Sequence, residues 1–276
     1  ATLRSPTILS RTLHTQNYNL LYISPSTSYD KNQLIFYISA KRKGKNIKNM
    51  SLYNIEESIL FEDEYLLVCY KCPGVAVQTA KVGIMDMESL IKNYLSKKLG
   101  SGKPPYLAVV HRLDQPVEGV MVFAKTPHAA RELNRQLTQG RMGKEYLAVT
   151  MGIPPEKAGI LENELVKDGR NNVSRVVPEK ISGSKHAVLE YEVLETKEGK
   201  ALVRIKLKTG RHHQIRVQMA NIGCPLLGDK KYNVNLMEDK RTTFPALCSS
   251  RLCFFHPKTG KPMEFTVIPK GEGFIL

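Results

Sequence analysis

The first 29 positions of this 276-residue chain contain no acidic residue. That stretch is rich in Ser, Thr and Asn and leads into the basic run Lys41-Arg42-Lys43-Gly44-Lys45. Residues 1–50 carry eight Lys or Arg against the single acid Asp30. Such a segment fits a basic arm, a transit peptide or an upstream leader before Met50. It holds no candidate chemistry, although the apolar run Leu34 to Ile38 is long enough for a strand. The expected organisation is a basic N-terminal extension, 1–50, followed by one globular domain, 51–276.

Cysteine is equally scarce. The five residues Cys69, Cys72, Cys224, Cys248 and Cys253 are odd in number and form no secreted-type framework. This points to a reducing compartment, the cytoplasm, or the mitochondrion if residues 1–50 are a targeting segment. Cys69-x-x-Cys72 has the spacing of half a zinc site, but Cys248 and Cys253 are too far apart to complete one. No metal is therefore expected. No stretch approaches the roughly 20 apolar residues of a membrane span, so no membrane partner is expected. Internal repeats are absent too.

What the chain does have is positive charge and an ordinary core. It carries a formal charge of +15 and 42% hydrophobic residues. An excess of cations attracts phosphate backbones through counterion release, independently of sequence.

From residue 51 the pattern alternates strands with short helices. Ile59-Leu60-Phe61 and Tyr65 to Val68 flank Glu62-Asp63-Glu64 as a hairpin. Asp86 caps a helix with apolar positions Leu90, Ile91, Tyr94, Leu95 and Leu99, ended by Gly100. Glu118 to Lys125 reads as a buried strand, and Thr126-Pro127 opens a helix that closes at Gly140. Further strands are expected at 144–152, 187–194, 201–208, 252–255 and 263–268, and a helix from His213 to Ile222. Arg204, Lys206 and Lys208 alternate with Val203, Ile205 and Leu207, giving a cationic strand face open to RNA or to solvent. Hairpins mixed with isolated helices define an α+β class with a mixed, largely antiparallel sheet flanked by helices.

Two segments concentrate chemistry. His111-Arg112-Leu113-Asp114, followed by Gln115 to Gly119 and the apolar Val120 to Ala124, sets a carboxylate beside a guanidinium on a turn entering a buried strand. Thr209-Gly210-Arg211-His212-His213-Gln214-Ile215-Arg216 packs two guanidiniums and two imidazoles into a glycine turn at a helix start, a natural anion site.

Together these segments resemble the RluA family of RNA pseudouridine synthases. Leu66 to Val68 with Lys71-Cys72-Pro73-Gly74, Lys144 to Ala148, Gly228-Asp229-x-x-Tyr232, and His256-Pro257-x-Thr259-Gly260 resemble other motifs of that family, in the same order. The likeness spans about residues 58–270 and makes 51–276 the catalytic domain, of pseudouridine synthase-like fold. It implies isomerisation of uridine to pseudouridine in RNA, with no metal or organic cofactor. The expected partner is tRNA or large-subunit ribosomal RNA, and a monomer is the default state.

By position in the motifs, Asp114 matches the catalytic aspartate, Arg216 the arginine that pairs with it, and Tyr146 the aromatic that stacks on the target base. Arg112 matches a residue holding RNA with the nucleotide flipped out. Lys71, Lys144 and Arg211 are the expected phosphate contacts, while His111 and His213 are expected to be structural. Whether Asp114 attacks the sugar, attacks the base or removes a sugar proton stays open.

The chain departs from the family at Val117-Glu118, which replace hydroxyl residues. Gln78, Gln218 and Cys248 replace histidines, and Tyr70 replaces an asparagine. Glu118 is expected to add a second acid near the site and repel phosphate. The rivals are a non-catalytic RNA-binding or ribosome-assembly protein on the same fold, and a base-excising glycosylase.

Overall fold

A computed structural model of the chain describes residues 54–81, 83–100, 104–233 and 244–274. The basic segment 1–50, with its Leu34–Ile38 run, lies outside the described residues.

The elements run β1 (Ile59–Glu62), β2 (Leu66–Lys71), β3 (Ala108–Val109), β4 (Glu118–Ala124), β5 (Gly143–Met151), β6 (Ala158–Asp168), β7 (Val173–Val177), β8 (Lys185–Lys197), β9 (Lys200–Leu207), β10 (Leu247–Phe255) and β11 (Pro262–Thr266). The helices are α1 (Ile55–Ser58), α2 (Met87–Leu99), α3 (Pro127–Thr138) and α4 (Gln214–Asn221). The strands form one sheet in the order β1-β2-β4-β10-β5-β9-β8-β6-β7, with β11 beside β10 and β3 beside β4. Every ladder is antiparallel except β4–β10, so the sheet is mixed and largely antiparallel, as the pattern predicted.

Local chemistry explains the boundaries. Asp86 accepts from the Ser89 N–H at the start of α2, and Gly100 ends it at φ 59°. Thr126 accepts from the Ala129 N–H, and Pro127 occupies the first turn of α3. Gly119 has a φ of 128°, and a Cβ there would collide with the Ser249 backbone. The close parallel approach of β4 to β10 thus requires glycine.

The sheet separates two apolar layers. One contains Leu67, Met121, Phe123, Ile91, Leu95, Leu113, Val117, Tyr146, Val203, Ile205, Ile215 and Met219. The other contains Val68, Tyr70, Val122, Leu133, Leu147, Val149, Phe254 and Phe265. The segment carrying Asp114, the strand carrying Tyr146 and the helix carrying Arg216 therefore meet on the first side.

The structure adds one hairpin and decides one open alternative. The sequence pattern missed the β6–β7 hairpin, whose one strongly buried aliphatic in β6 is Leu165. The cationic row on β9 is compensated: Arg204 pairs with Glu192, Lys206 with Glu145 and Lys208 with Glu190. Arg204 and Lys206 register with Leu147 and Glu145, whereas Ile205 registers with Tyr146. Alternation puts these two cations on the face opposite Tyr146, against a direct part at the site.

Candidate active site

Asp114 sits on a turn between β3 and β4, closed by the Val117 N–H donating to the Asp114 carbonyl at 3.0 Å. Leu113 and Val117 are buried on either side and anchor the turn in the core. The Gln115 carbonyl accepts from the Gly74 N–H at 2.9 Å, and the Gln115 amide donates to the Gly74 carbonyl at 3.0 Å. His111 continues the β3 edge by accepting the Val122 N–H at 3.2 Å.

Lys71, expected among the phosphate contacts, has a different place. It is fully buried, and its ammonium donates to the carbonyls of Cys72, Val75 and Gln115 at 3.0, 2.7 and 2.9 Å. All three hydrogens are committed, so Lys71 ties the Asp114 turn to β2 and presents no charge to a phosphate. Burial pushes its pKa down to about 7, against the opposing charges of Cys72 and Asp114.

Arg216 comes from the first turn of α4 and is buried. Its Nε and Nη2 donate to the two oxygens of Asp229, both at 2.7 Å, and its Nη1 reaches Asp114 Oδ2 at 3.3 Å. Burial works against the charged guanidinium, but the Asp229 bonds and charge hold its pKa above the usual value. The Arg216 guanidinium also lies 5.2 Å from the Tyr232 ring centroid. Gln214 fixes the preceding turn, its carbonyl oxygen accepting from Thr209 Oγ1 at 2.9 Å and from the Arg211 N–H at 3.0 Å.

His213 Nε2 stands 3.5 Å from the same Asp114 Oδ2. Both neighbours thus engage one oxygen, and among the described residues Oδ1 has no protein partner. The Asp114 side chain keeps 28% exposure, so a reacting group can approach that free oxygen.

Tyr146, on β5, is buried in the same apolar layer as Leu113 and Ile215. Burial, with the charge of Asp114 adding to it, pushes the phenol well above its usual pKa. It is a neutral ring beside a carboxylate. Lys144, two residues earlier on the same strand face, is half-buried, with Nζ 3.9 Å from where a Cβ on Gly210 would lie. Its ammonium has no hydrogen-bond or ion-pair partner among the described residues. Arg112 is exposed, and Arg211 is exposed with only Nε used, on the His186 carbonyl at 2.8 Å.

Glu118 does not join the site. It is buried in β4, where it accepts the Tyr70 hydroxyl and the N–H groups of Lys270 and Gly271 at 3.0 and 2.9 Å. It locks the C-terminal segment and does not meet phosphate. Cys248 registers beside it on β10, so three of the departures share one buried cluster. Gln218 donates to the Asn163 amide oxygen at 2.8 Å and to the Leu161 carbonyl at 3.1 Å, tying α4 to β6.

Two histidines make the site sensitive to acid. Burial pushes His111 down to about 3, with Lys144 adding to it, and His213 down to about 2, with Arg216 adding to it. The unfolded chain takes up these protons near pH 6.5, which the folded chain refuses. Stability is therefore unaffected above about pH 6.5 and falls as pH drops below it, by up to roughly 1.4 kcal/mol per pH unit for each histidine. Urea midpoints taken from pH 7 to 4.5 test this; a flat series would contradict it.

Asp229 and Tyr232 were missed as site residues. Both belong to the stretch Gly228 to Tyr232 that resembles a family motif, but only the contacts with Arg216 and His213 reveal what they do. No group of three or more His, Cys, Asp or Glu among the described residues could hold a metal ion.

A paired carboxylate and guanidinium beside a buried tyrosine, on one face of this mixed sheet, form the arrangement expected of a pseudouridine synthase-type domain. The human protein RNA Pseudouridylate Synthase Domain Containing 4 shares the fold, with a TM-score of 0.66 at 22% identity, over 78% of this chain and 90% of that one. Residues 65–221 match the profile of the RNA pseudouridylate synthase family. Ribosomal large subunit pseudouridine synthase D of Pseudomonas aeruginosa is 35% identical over 234 residues, which cover 80% of this chain and 71% of the relative. The enzyme of the same name from Zymomonas mobilis is 32% identical over 221 residues, covering 77% and 69%. The chain belongs to the RluA family of RNA pseudouridine synthases, isomerases acting on RNA.

Proposed function

We propose that Asp114 is the reacting carboxylate of this isomerase, that Tyr146 stacks on the flipped uracil and that Arg216 steadies the acid. The observation that carries the reading is the 3.3 Å contact of Arg216 Nη1 with Asp114, made by a guanidinium already clamped on Asp229. Breaking the N1–C1′ bond and rejoining the base through C5 releases no base: the C5 proton is lost to solvent and N1 gains one. One carboxylate then suffices where glycoside hydrolysis uses two. The free Oδ1 is the oxygen offered to the substrate, and the neutral Tyr146 ring gives a stacking surface without adding negative charge.

Arg112, Lys144 and Arg211 hold the RNA backbone in this reading. The support is their exposure or, for Lys144, an unpaired ammonium on the same strand face as Tyr146. Large-subunit ribosomal RNA is the first substrate to test, because the curated relatives from Pseudomonas and Zymomonas are named for it; tRNA is the second.

The test uses both RNAs labelled with tritium at uridine C5. Turnover releases tritium and leaves pseudouridine at a defined position, mapped by carbodiimide-blocked reverse transcription. RNA binding without tritium release from either substrate favours the non-catalytic reading instead. Free uracil with an abasic product favours a glycosylase.

A further inference from the structure

We infer that Tyr232 and His213 form a positioning pair for Asp114, in which the Tyr232 hydroxyl fixes the His213 tautomer so that a neutral imidazole N–H faces the carboxylate. The inference rests on the proposed role of Asp114.

Hydrogen-bond direction carries the argument. The Ser174 N–H donates to the Tyr232 hydroxyl oxygen at 2.6 Å, which leaves the phenolic proton free to point elsewhere. His213 Nδ1 lies 2.8 Å from that oxygen and is the one ring nitrogen able to receive the proton. Accepting there places the imidazole hydrogen on Nε2, the atom 3.5 Å from Asp114 Oδ2.

The ring cannot turn away easily. His213 has a φ of 54°, unusual for a side-chain-bearing residue. His212 stacks on one side of the ring at 3.8 Å, and Tyr232 meets it edge-on at 5.6 Å. His212 is itself tied down, with Nδ1 2.9 Å from Ser174 Oγ and Nε2 3.1 Å from Asn172 Oδ1.

Burial first, and the surrounding charges after it, keep this imidazole neutral. Arg216, Lys231 and Lys167 oppose a proton on His213, His212 adds to them, and Asp114 is the acid that faces it. Asp114 therefore has one full cation, Arg216, and one neutral donor, both on Oδ2. A second full cation would stabilise the resting carboxylate further and blunt its reactivity. The neutral donor orients the group and leaves Oδ1 reactive.

The pair is tested in the full-length protein by nitrogen-15 NMR of the imidazole and by kinetics. The parent is expected to show His213 protonated only at Nε2 and uncharged down to pH 5. Tyr232→Phe keeps the ring over Arg216 but removes the proton. It should lower kcat on the order of 10- to 100-fold, leave KM for RNA unchanged, and move the acid limb of the kcat profile to higher pH. His213→Gln, whose amide can still donate, should keep more turnover than His213→Leu.

An Nδ1–H tautomer in the parent overturns the inference, as does a Tyr232→Phe profile matching the parent. Asp114→Asn is run alongside. If that variant turns over normally, the proposed site falls and the pair with it. If it is inactive while Tyr232→Phe behaves as parent, the pair alone falls.

Discussion

Asp114→Asn is expected to lower kcat by ~10⁴-fold or more while RNA binding persists. An amide is nearly isosteric with a carboxylate, but it neither attacks a sugar or base nor takes a proton. The fold should tolerate the change. Arg216 keeps its bidentate bonds to Asp229, and the partly exposed Asp114 adds only one longer contact at 3.3 Å. Affinity should also survive, because phosphate contacts dominate it and Asp114 makes none. Tritium release, equilibrium RNA binding and a urea midpoint on one preparation separate the three effects. Undiminished turnover would remove Asp114 from the reaction. Lost affinity with intact chemistry would assign it to binding instead.

The two segments carrying Asp114 and Arg216 were legible in the sequence because each is a short local unit. The turn residues, the glycine and the apolar strand that follows lie within a few positions of the reacting group. Lys71 was misread for the opposite reason. A lysine reads as surface charge, and its burial depends on three carbonyls, one of them contributed by Gln115 in a distant segment. Glu118 was misread likewise. Its partners Lys270 and Gly271 lie more than 150 positions downstream, and they turn an apparent site acid into a clasp for the C-terminal segment.

The β6–β7 hairpin gave little apolar periodicity because it buries little. Yet Ser174 in β7 supplies the N–H that orients Tyr232. A weakly patterned edge element thus reaches the candidate site through the hydrogen bonds of Ser174 to Tyr232 and His212. The antiparallel core was easier to read, since strands such as β4 and β5 are buried over most of their length and alternate between two apolar layers.

Asp229→Ala should have the largest effect on stability. It leaves the buried Arg216 guanidinium without its bidentate partner, and the Lys231 N–H without its acceptor at 3.0 Å. Breaking such a pair from one side typically costs about 3–5 kcal/mol. Turnover should fall with it, because Arg216 is then drawn towards Asp114 alone and no longer held against one of its oxygens. Stability and activity can be pulled apart. Replacing both partners, as in Arg216→Met with Asp229→Leu, removes the uncompensated charge and should recover most of the urea midpoint. It restores no turnover, since Asp114 has lost its counter-charge. A single Asp229→Ala variant as stable and active as the parent would show that the clamp is dispensable. A double variant that regained activity would show that the carboxylate works without Arg216. The physical content is an asymmetry: Asp229 holds the guanidinium by two short bonds, so its contact with Asp114 can remain single, longer and open to substrate.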